Sequence, residues 1–295
     1  MCDEDKLARW AREGLNRRQF GALGGMAALA ACTPAESRSQ GEGRVAPPAL
    51  AEESVSFATA DGTMDGFFVH PVSGPAPAVL FWPDIGGIRE AKRNMARRLA
   101  GQGYAVLVAN PYYRDAAGQQ FEDFADFAAN GGFKKVGPWR EKLNAAAIMR
   151  DATAAVAWFD EQETVDSARG VGTQGYCMGG PFTVWTAAAV PGRVRAGASF
   201  HGGGLVRGDD PMSPHNLFGR TQASYLIAIA QDDDAEAPET KDVLREAAKA
   251  AGRPVEIEVY AGDHGWTVPD APAYVEAEAE RAWTNLLELY GQALG

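Results

Sequence analysis

Gly175-Tyr176-Cys177-Met178-Gly179-Gly180 stands between an apolar run that starts at Val171 and a segment opened by Pro181, a favoured helix-start residue. The spacing predicts a strand, a tight turn and a helix in succession, with Cys177 at the apex of the turn. Such a turn holds its apex residue in a strained backbone conformation, and glycines on both flanks keep the backbones from colliding. The following helix aims its N-terminus at the sulfur, which favours the thiolate. This glycine-x-nucleophile-x-glycine pattern marks Cys177 as a candidate nucleophile. The competing reading is a buried core thiol in a glycine-rich turn, the ordinary fate of a lone cysteine.

Outward from this turn the chain alternates strand and helix. Val55–Ala58 and Phe67–His70 flank Asp61-Gly62 and predict an N-terminal hairpin. Ala78–Trp82, Tyr104–Ala109, Ala196–Phe200, Tyr225–Ala230 and Ile257–Tyr260 are further strand candidates. Between them Ile88, Ala91, Met95 and Leu99 recur at helical spacing, as do Ile148, Ala152, Val156 and Phe159. Glu239 to Ala251 reads as another helix, and Val275, Ala279, Ala282, Trp283, Leu286, Leu287 and Tyr290 line a long amphipathic C-terminal one. Strands separated by helices imply right-handed crossovers, hence an α/β fold with a mostly parallel sheet covered on both faces. The aromatic segment from Asn110 to Lys142 breaks the rhythm. It reads either as a cap over the strand C-termini or as an excursion whose aromatics pack on the core.

Two later strand ends carry the residue types that a nucleophile needs as partners. Gln231-Asp232-Asp233-Asp234 follows the Tyr225–Ala230 run, and Gly262-Asp263-His264-Gly265 follows Ile257–Tyr260. Of His70, His201, His215 and His264, only His264 lies just beyond the last strand among glycines. The order nucleophile, acid, histidine is that of an α/β-hydrolase. On these residues the chain resembles the dienelactone hydrolase family from about Ser54 to Leu294, the Gly175–Gly180 elbow being the specific match. The resemblance implies the α/β-hydrolase fold and hydrolysis of a carboxylic ester or lactone through Cys177, Asp233 and His264, by way of a thioester and with no metal or organic cofactor. By the family's pattern after the strand the acid falls on Asp233, with Asp234 next in line.

The second oxyanion donor is expected from Pro83-Asp84-Ile85-Gly86-Gly87, so the backbone N–H groups of Ile85 and Met178 form the candidate oxyanion hole. Asp84 stands where the family carries a glutamate near the nucleophile, which implies a role at the cysteine or the substrate; the alternative is a cap before the helix. His201, at the end of the Ala196–Phe200 strand, is expected to line the pocket. The family's type enzyme holds its substrate carboxylate with an arginine four residues after the histidine, and here that position is Val268. Arg114, Arg140 and Arg150 are the candidates to replace it. A rival of another class is a catalytically silent ligand-binding lipoprotein with the same fold; Val268 and the polar Gln174 just before the elbow favour it.

Composition narrows the classes. The chain has 295 residues, 46% hydrophobic and 23% charged, which suits a globular α/β protein. A net charge of −11 argues against a nucleic-acid partner. Three cysteines, Cys2, Cys32 and Cys177, are too few for a disulfide scaffold. Arg17-Arg18 precede an uncharged stretch, Phe20 to Ala31, that is shorter than the roughly 20 residues a membrane span needs. This resembles a twin-arginine signal peptide, and Leu29-Ala30-Ala31-Cys32 resembles a lipobox. The expected organisation is a signal peptide over 1–31, a flexible tether over 32–52 and the hydrolase domain over 53–295. The expected location is the bacterial cell envelope, as a periplasmic, monomeric lipoprotein acylated on Cys32. A small-molecule ester or lactone is the expected partner. Cys177 then remains as the one thiol of the mature chain.

Overall fold

The computed structural model describes residues 48–295. Arg17-Arg18, Leu29–Cys32 and all but the end of the expected tether lie outside the described residues. Strand β1 (Leu50–Thr59) begins inside that tether, with Ala51 paired to His70 and Glu52 to Val69 of β2 (Gly62–Pro71). The two form the hairpin predicted around Asp61-Gly62, longer at both ends than the apolar runs suggested. Gly62 turns it with φ 142°, a conformation that L side chains rarely adopt.

The hairpin sits at one edge of an eight-stranded sheet. Strands β3 (Ala78–Trp82), β4 (Ala105–Ala109), β5 (Val171–Tyr176), β6 (Val194–Phe200), β7 (Ser224–Ala230) and β8 (Val255–Tyr260) complete it in the order β1-β2-β4-β3-β5-β6-β7-β8. Strands β3 to β8 pair in parallel, while β2 pairs antiparallel with both β1 and β4. Successive side chains of a strand point to opposite faces, so a sheet covered on both sides needs unbroken apolar runs. In β3, Leu80 and Trp82 enter one core and Val79 and Phe81 the other. This is the α/β-hydrolase architecture, a mixed sheet flanked by helices.

Helix α1 (Glu90–Ala100) follows β3. Of the predicted stripe Ile88 and Leu99 are buried and Ala91 and Met95 half-buried, while Lys92, Ala96 and Ala100 are buried alongside them. A lysine replaces an apolar residue on the buried stripe because it has a buried carboxylate partner, described below. Within the Asn110–Lys142 excursion lie two short helices, α2 (Phe124–Ala129) and α3 (Gly132–Arg140). Helix α4 (Ala145–Asp160) is capped by Asn144, whose side chain accepts from the N–H of Ala147 at 3.0 Å, and buries the predicted Ile148, Ala152, Val156 and Phe159. Helix α5 (Gly180–Ala189) follows the elbow and is buried along nearly its whole length. After α6 (Pro214–Leu217) come α7 (Gln231–Glu236), α8 (Thr240–Ala251) and α9 (Glu276–Ala293). Helix α9 buries Ala282, Leu286 and Tyr290 against the sheet. Among the described residues no helix is long and apolar enough to cross a membrane.

Gln174, incongruous as a strand residue, is satisfied between two tyrosines. Its amide donates to Tyr176 Oη at 3.0 Å, and its carbonyl accepts from Tyr290 Oη at 3.2 Å. Three polar groups are buried together here with their bonds made, which removes most of the cost of burying any of them. The residue thus braces the strand behind the elbow against the last helix.

Candidate active site

Cys177 occupies the first position of a single 3₁₀ turn, Cys177–Gly179, between β5 and α5. Its φ of 52° is a strained value for a residue with a side chain, of the kind that clusters at functional sites. The flanking glycines are sterically required. A Cβ on Gly175 would lie 2.0 Å from the carbonyl oxygen of Gly179, and one on Gly179 would lie 2.7 Å from the carbonyl oxygens of Trp82 and Pro83. The sequence motif therefore reports a close crossing of backbones.

The three consecutive aspartates have separate partners. Asp233 accepts from, or shares a proton with, His264 through a 2.7 Å Oδ2···Nδ1 contact. Asp232 accepts the backbone N–H of His264 at 2.8 Å and that of Asp233 at 3.0 Å. Asp234 pairs with Lys241 Nζ at 2.6 Å. The aspartates sit in the first turn of α7, where the helix dipole favours negative charge. His264 is thus held at both its ring and its backbone.

Cys177, His264, His201, Ile85, Asp84 and Val268 line one cavity of about 20 Å³, room for roughly a single water. Phe124 of α2 also lines it, so the excursion reaches the site. The segment's aromatics also pack together: Phe127 lies 5.0 Å from Phe121 and 4.7 Å from Phe133, ring to ring. His201 is buried with its backbone at φ 39°. Its Nε2 meets Thr267 Oγ1 at 2.9 Å, and its ring packs edge-on to His264 with centroids 5.0 Å apart. Burial, helped by the neighbouring charge of His264, holds the ring of His201 neutral by pushing its pKa well below the usual histidine range.

Asp84 differs from expectation. It lines the cavity, but its carboxylate is bound to Arg89 at 2.7 and 2.9 Å, to Lys92 Nζ at 2.7 Å and to the N–H of Gly86 at 2.9 Å. Burial opposes its ionisation, and the two cations overcome this and hold its pKa far below the carboxylate range. A carboxylate so held is a poor proton acceptor for a thiol. Arg89 also binds Asp270 at 2.7 and 2.9 Å, and Asp270 accepts the N–H of Phe124 at 3.0 Å. One guanidinium thereby joins the loop after β3, the histidine loop and the start of α2. Tyr112 adds a further brace, donating to the carbonyl oxygen of Ile85 at 2.8 Å.

Lys92, Arg89, Asp270 and Tyr112 did not emerge from sequence reasoning. The contacts of Arg89 to Asp270 and of Tyr112 to Ile85 join segments far apart in the chain, and no local pattern marks them. Of the three candidate arginines, Arg114 is bound to Asp61 at 2.6 Å and Asp151 at 2.7 Å, and Arg150 to Asp61 at 2.7 Å. Arg140 has no such partner among the described residues. Val268 is buried in the cavity wall. Among the described residues no group of three or more His, Cys, Asp or Glu is placed to hold a metal ion.

Comparison with known proteins extends this picture over almost the whole domain. The family described as "Dienelactone hydrolase family" matches residues 64–294. A carboxymethylenebutenolidase of Rhodococcus opacus is 26% identical over 256 residues, spanning 84% of this chain and 95% of its own. A dienelactone hydrolase-like promiscuous phosphotriesterase from metagenomic libraries superposes with a TM-score of 0.65 at 25% identity, over 84% of this chain and all of the other (100%). A solved chain named m3DLH gives 0.70 at 23% identity, over 83% of this chain and 99% of its own, a likeness of fold.

Proposed function

The chain belongs to the dienelactone hydrolase family, and from that premise we propose that it cleaves carboxylic esters or lactones with Cys177 as nucleophile. The Cys177 thiolate attacks the acyl carbon, and the N–H groups of Met178 and Ile85 receive the oxyanion. Each such donor contributes about 2.7–4 kcal/mol to the transition state. His264, oriented by Asp233, protonates the departing alcohol and then takes a proton from the water that hydrolyses the thioester. The observation that carries this reading is the 2.7 Å Asp233–His264 contact beside a cysteine held at φ 52° in the same cavity. His201 supports the ring of His264 by packing and stays neutral through the cycle. Asp84 is assigned to holding the loop that bears Ile85.

Cys177→Ala is expected to abolish turnover of 4-nitrophenyl acetate; unchanged turnover would overturn the assignment. The rival reading, a silent binding protein, is separated by the pH dependence of iodoacetamide labelling. A thiol titrating near the free value of about 8.5, indifferent to His264→Ala, would favour the rival. For location we propose acylation of Cys32 after twin-arginine export, on the strength of Arg17-Arg18 and Leu29–Cys32. Palmitate labelling that persists in Cys32→Ser would overturn it.

A further inference from the structure

Cys177 is buried, and the cavity it lines has a volume of about 20 Å³. That is room for a water or a methyl group. In the hydrolase reading the acyl group stays bonded to Cys177 Sγ after the alcohol has left with a proton from His264. Its oxygen then faces the N–H of Ile85, a residue that lines the same cavity. The acyl chain is therefore the part of the substrate that this volume constrains.

The walls of the cavity differ in what holds them. Ile85 is braced by Tyr112, His264 by Asp232 and Asp233, and His201 by Thr267. Phe124, the largest side chain of the lining, is hydrogen-bonded only through its backbone. Its N–H donates to Asp270 Oδ2 at 3.0 Å, and Asp123 caps its helix by accepting the N–H of Asp126 at 2.7 Å. Its buried ring is held by packing, 5.5 Å from the ring of Phe127 and 5.7 Å from the guanidinium of Arg89. The ring can thus be cut back without breaking a hydrogen bond of the site.

We propose that Phe124 is a specificity-determining residue for acyl length. Its ring, kept in the wall of the Cys177 cavity by the tie to Asp270, admits an acetyl group and turns longer chains away. The proposal rests on the hydrolase reading above and names its substrate class, esters of short acids. Asp270 spends its other contacts on Arg89, at 2.7 and 2.9 Å, so the filter hangs on the same guanidinium that holds Asp84. In a pocket of fixed shape one methylene too many is worth about 10–200-fold in kcat/KM. Val268 shares the wall but belongs to the histidine loop, so Phe124 is the place where the cavity can be enlarged without touching the segment that carries His264.

The test compares 4-nitrophenyl acetate with 4-nitrophenyl hexanoate. The wild type is expected to favour the acetate in kcat/KM by about tenfold or more. Phe124→Ala should raise the hexanoate-to-acetate ratio by about tenfold or more, and the milder Phe124→Leu by less. Phe121→Leu, in the same aromatic cluster but outside the cavity lining, should leave the ratio where it was. Where esters are hydrolysed, a wild type indifferent to chain length overturns the filter and leaves the hydrolase reading standing. A ratio that neither Phe124 variant moves, or that Phe121→Leu moves as far, does the same. A second measurement requires no turnover: the rates at which iodoacetamide and the bulkier N-benzyliodoacetamide alkylate Cys177, followed by peptide mass and taken relative to free cysteine. The wild type should react faster with the smaller reagent by about tenfold or more, and the Phe124 variants should narrow that gap. A gap that narrows in this way with no ester hydrolysed leaves the filter standing and the hydrolase reading fallen. With no ester hydrolysed, a gap that is absent or that neither variant narrows, or a Cys177 that neither reagent reaches, overturns both.

Discussion

The two sides of Cys177 treat arginine in opposite ways. On the side that holds His264, Arg89 is fully buried, and its guanidinium is shared between Asp84 and Asp270. On the side past Met178, Arg140 has a buried Nε with no hydrogen-bond partner among the described residues. A cation with all its acceptors supplied by the protein fixes geometry. The side that holds His264 is thus tied together by ion pairs of its own, and the side past Met178 is not.

Removing Arg89 gives the sharpest test of this division. Arg89→Met takes from Asp84 and Asp270 the guanidinium they share, leaving Asp84 with Lys92 as its remaining cation. Breaking a buried pair from one side costs about 3–5 kcal/mol. Urea unfolding should show a loss of that size, along with reduced ester turnover as the Ile85 loop and the histidine loop lose their tie. A loss below about 1 kcal/mol would mean that the side that holds His264 is not the framework described.

Acid should act on the same side. The folded-state pKa of Asp84 lies far below its ordinary value of 3.8. Its contribution to stability is therefore complete above that value and is lost as pH falls from about 4 toward the depressed folded value. Asp151, buried and with its pKa raised mainly by burial, acts in the other direction, since protonation relieves it. Stability measured from pH 6 to pH 2 is expected to fall. In Arg89→Met the fall should be shallower, because the Asp84 pKa rises toward normal. A slope identical in the two proteins would break the link between acid sensitivity and this cluster.

What could be read from the sequence follows the same divide between local and distant contacts. The elbow is legible because its pattern is local, and Gly175 answers to a crossing only four residues long, with Gly179, although Gly179 itself is required by the distant carbonyls of Trp82 and Pro83. The helices α4 and α9 are legible because their buried stripes are periodic. Asp233 is reached from the sequence only through the family's pattern after β7, because the partners that differ among the three aspartates, His264 and Lys241, lie elsewhere in the chain. The ionic cluster was invisible because Arg89 and Asp270 stand 181 residues apart. Lys92 sits on a helix stripe where a lysine ordinarily means solvent. Gln174 looked like a defect because its acceptor contact, to Tyr290, comes from 116 residues away.

A smaller effect is expected where the brace is one neutral hydroxyl. Tyr112→Phe removes only the hydroxyl, which lies 2.8 Å from the carbonyl oxygen of Ile85 and 3.4 Å from Met178 Sδ. The bond is neutral and its loss should cost about 0.5–1.5 kcal/mol of stability. Turnover should suffer more than stability does, since the same bond positions the loop that carries the Ile85 N–H. If kcat with the neutral ester is unchanged while stability falls, Tyr112 braces the fold and not the oxyanion loop.

The smallest expected change in stability belongs to the side past Met178. Arg140→Leu keeps an apolar base to the side chain and removes a guanidinium whose Nε is buried with no hydrogen-bond partner among the described residues. Nothing paired is broken, because no carboxylate within the described residues holds that charge. The loss of packing and the relief of an unsatisfied donor oppose each other, so the unfolding free energy should move by no more than about 0.5 kcal/mol in either direction. A residue kept for the fold would not behave so. If Arg140→Leu instead destabilises by several kcal/mol, as Arg89→Met is expected to, the arginines on the two sides of Cys177 do the same structural work.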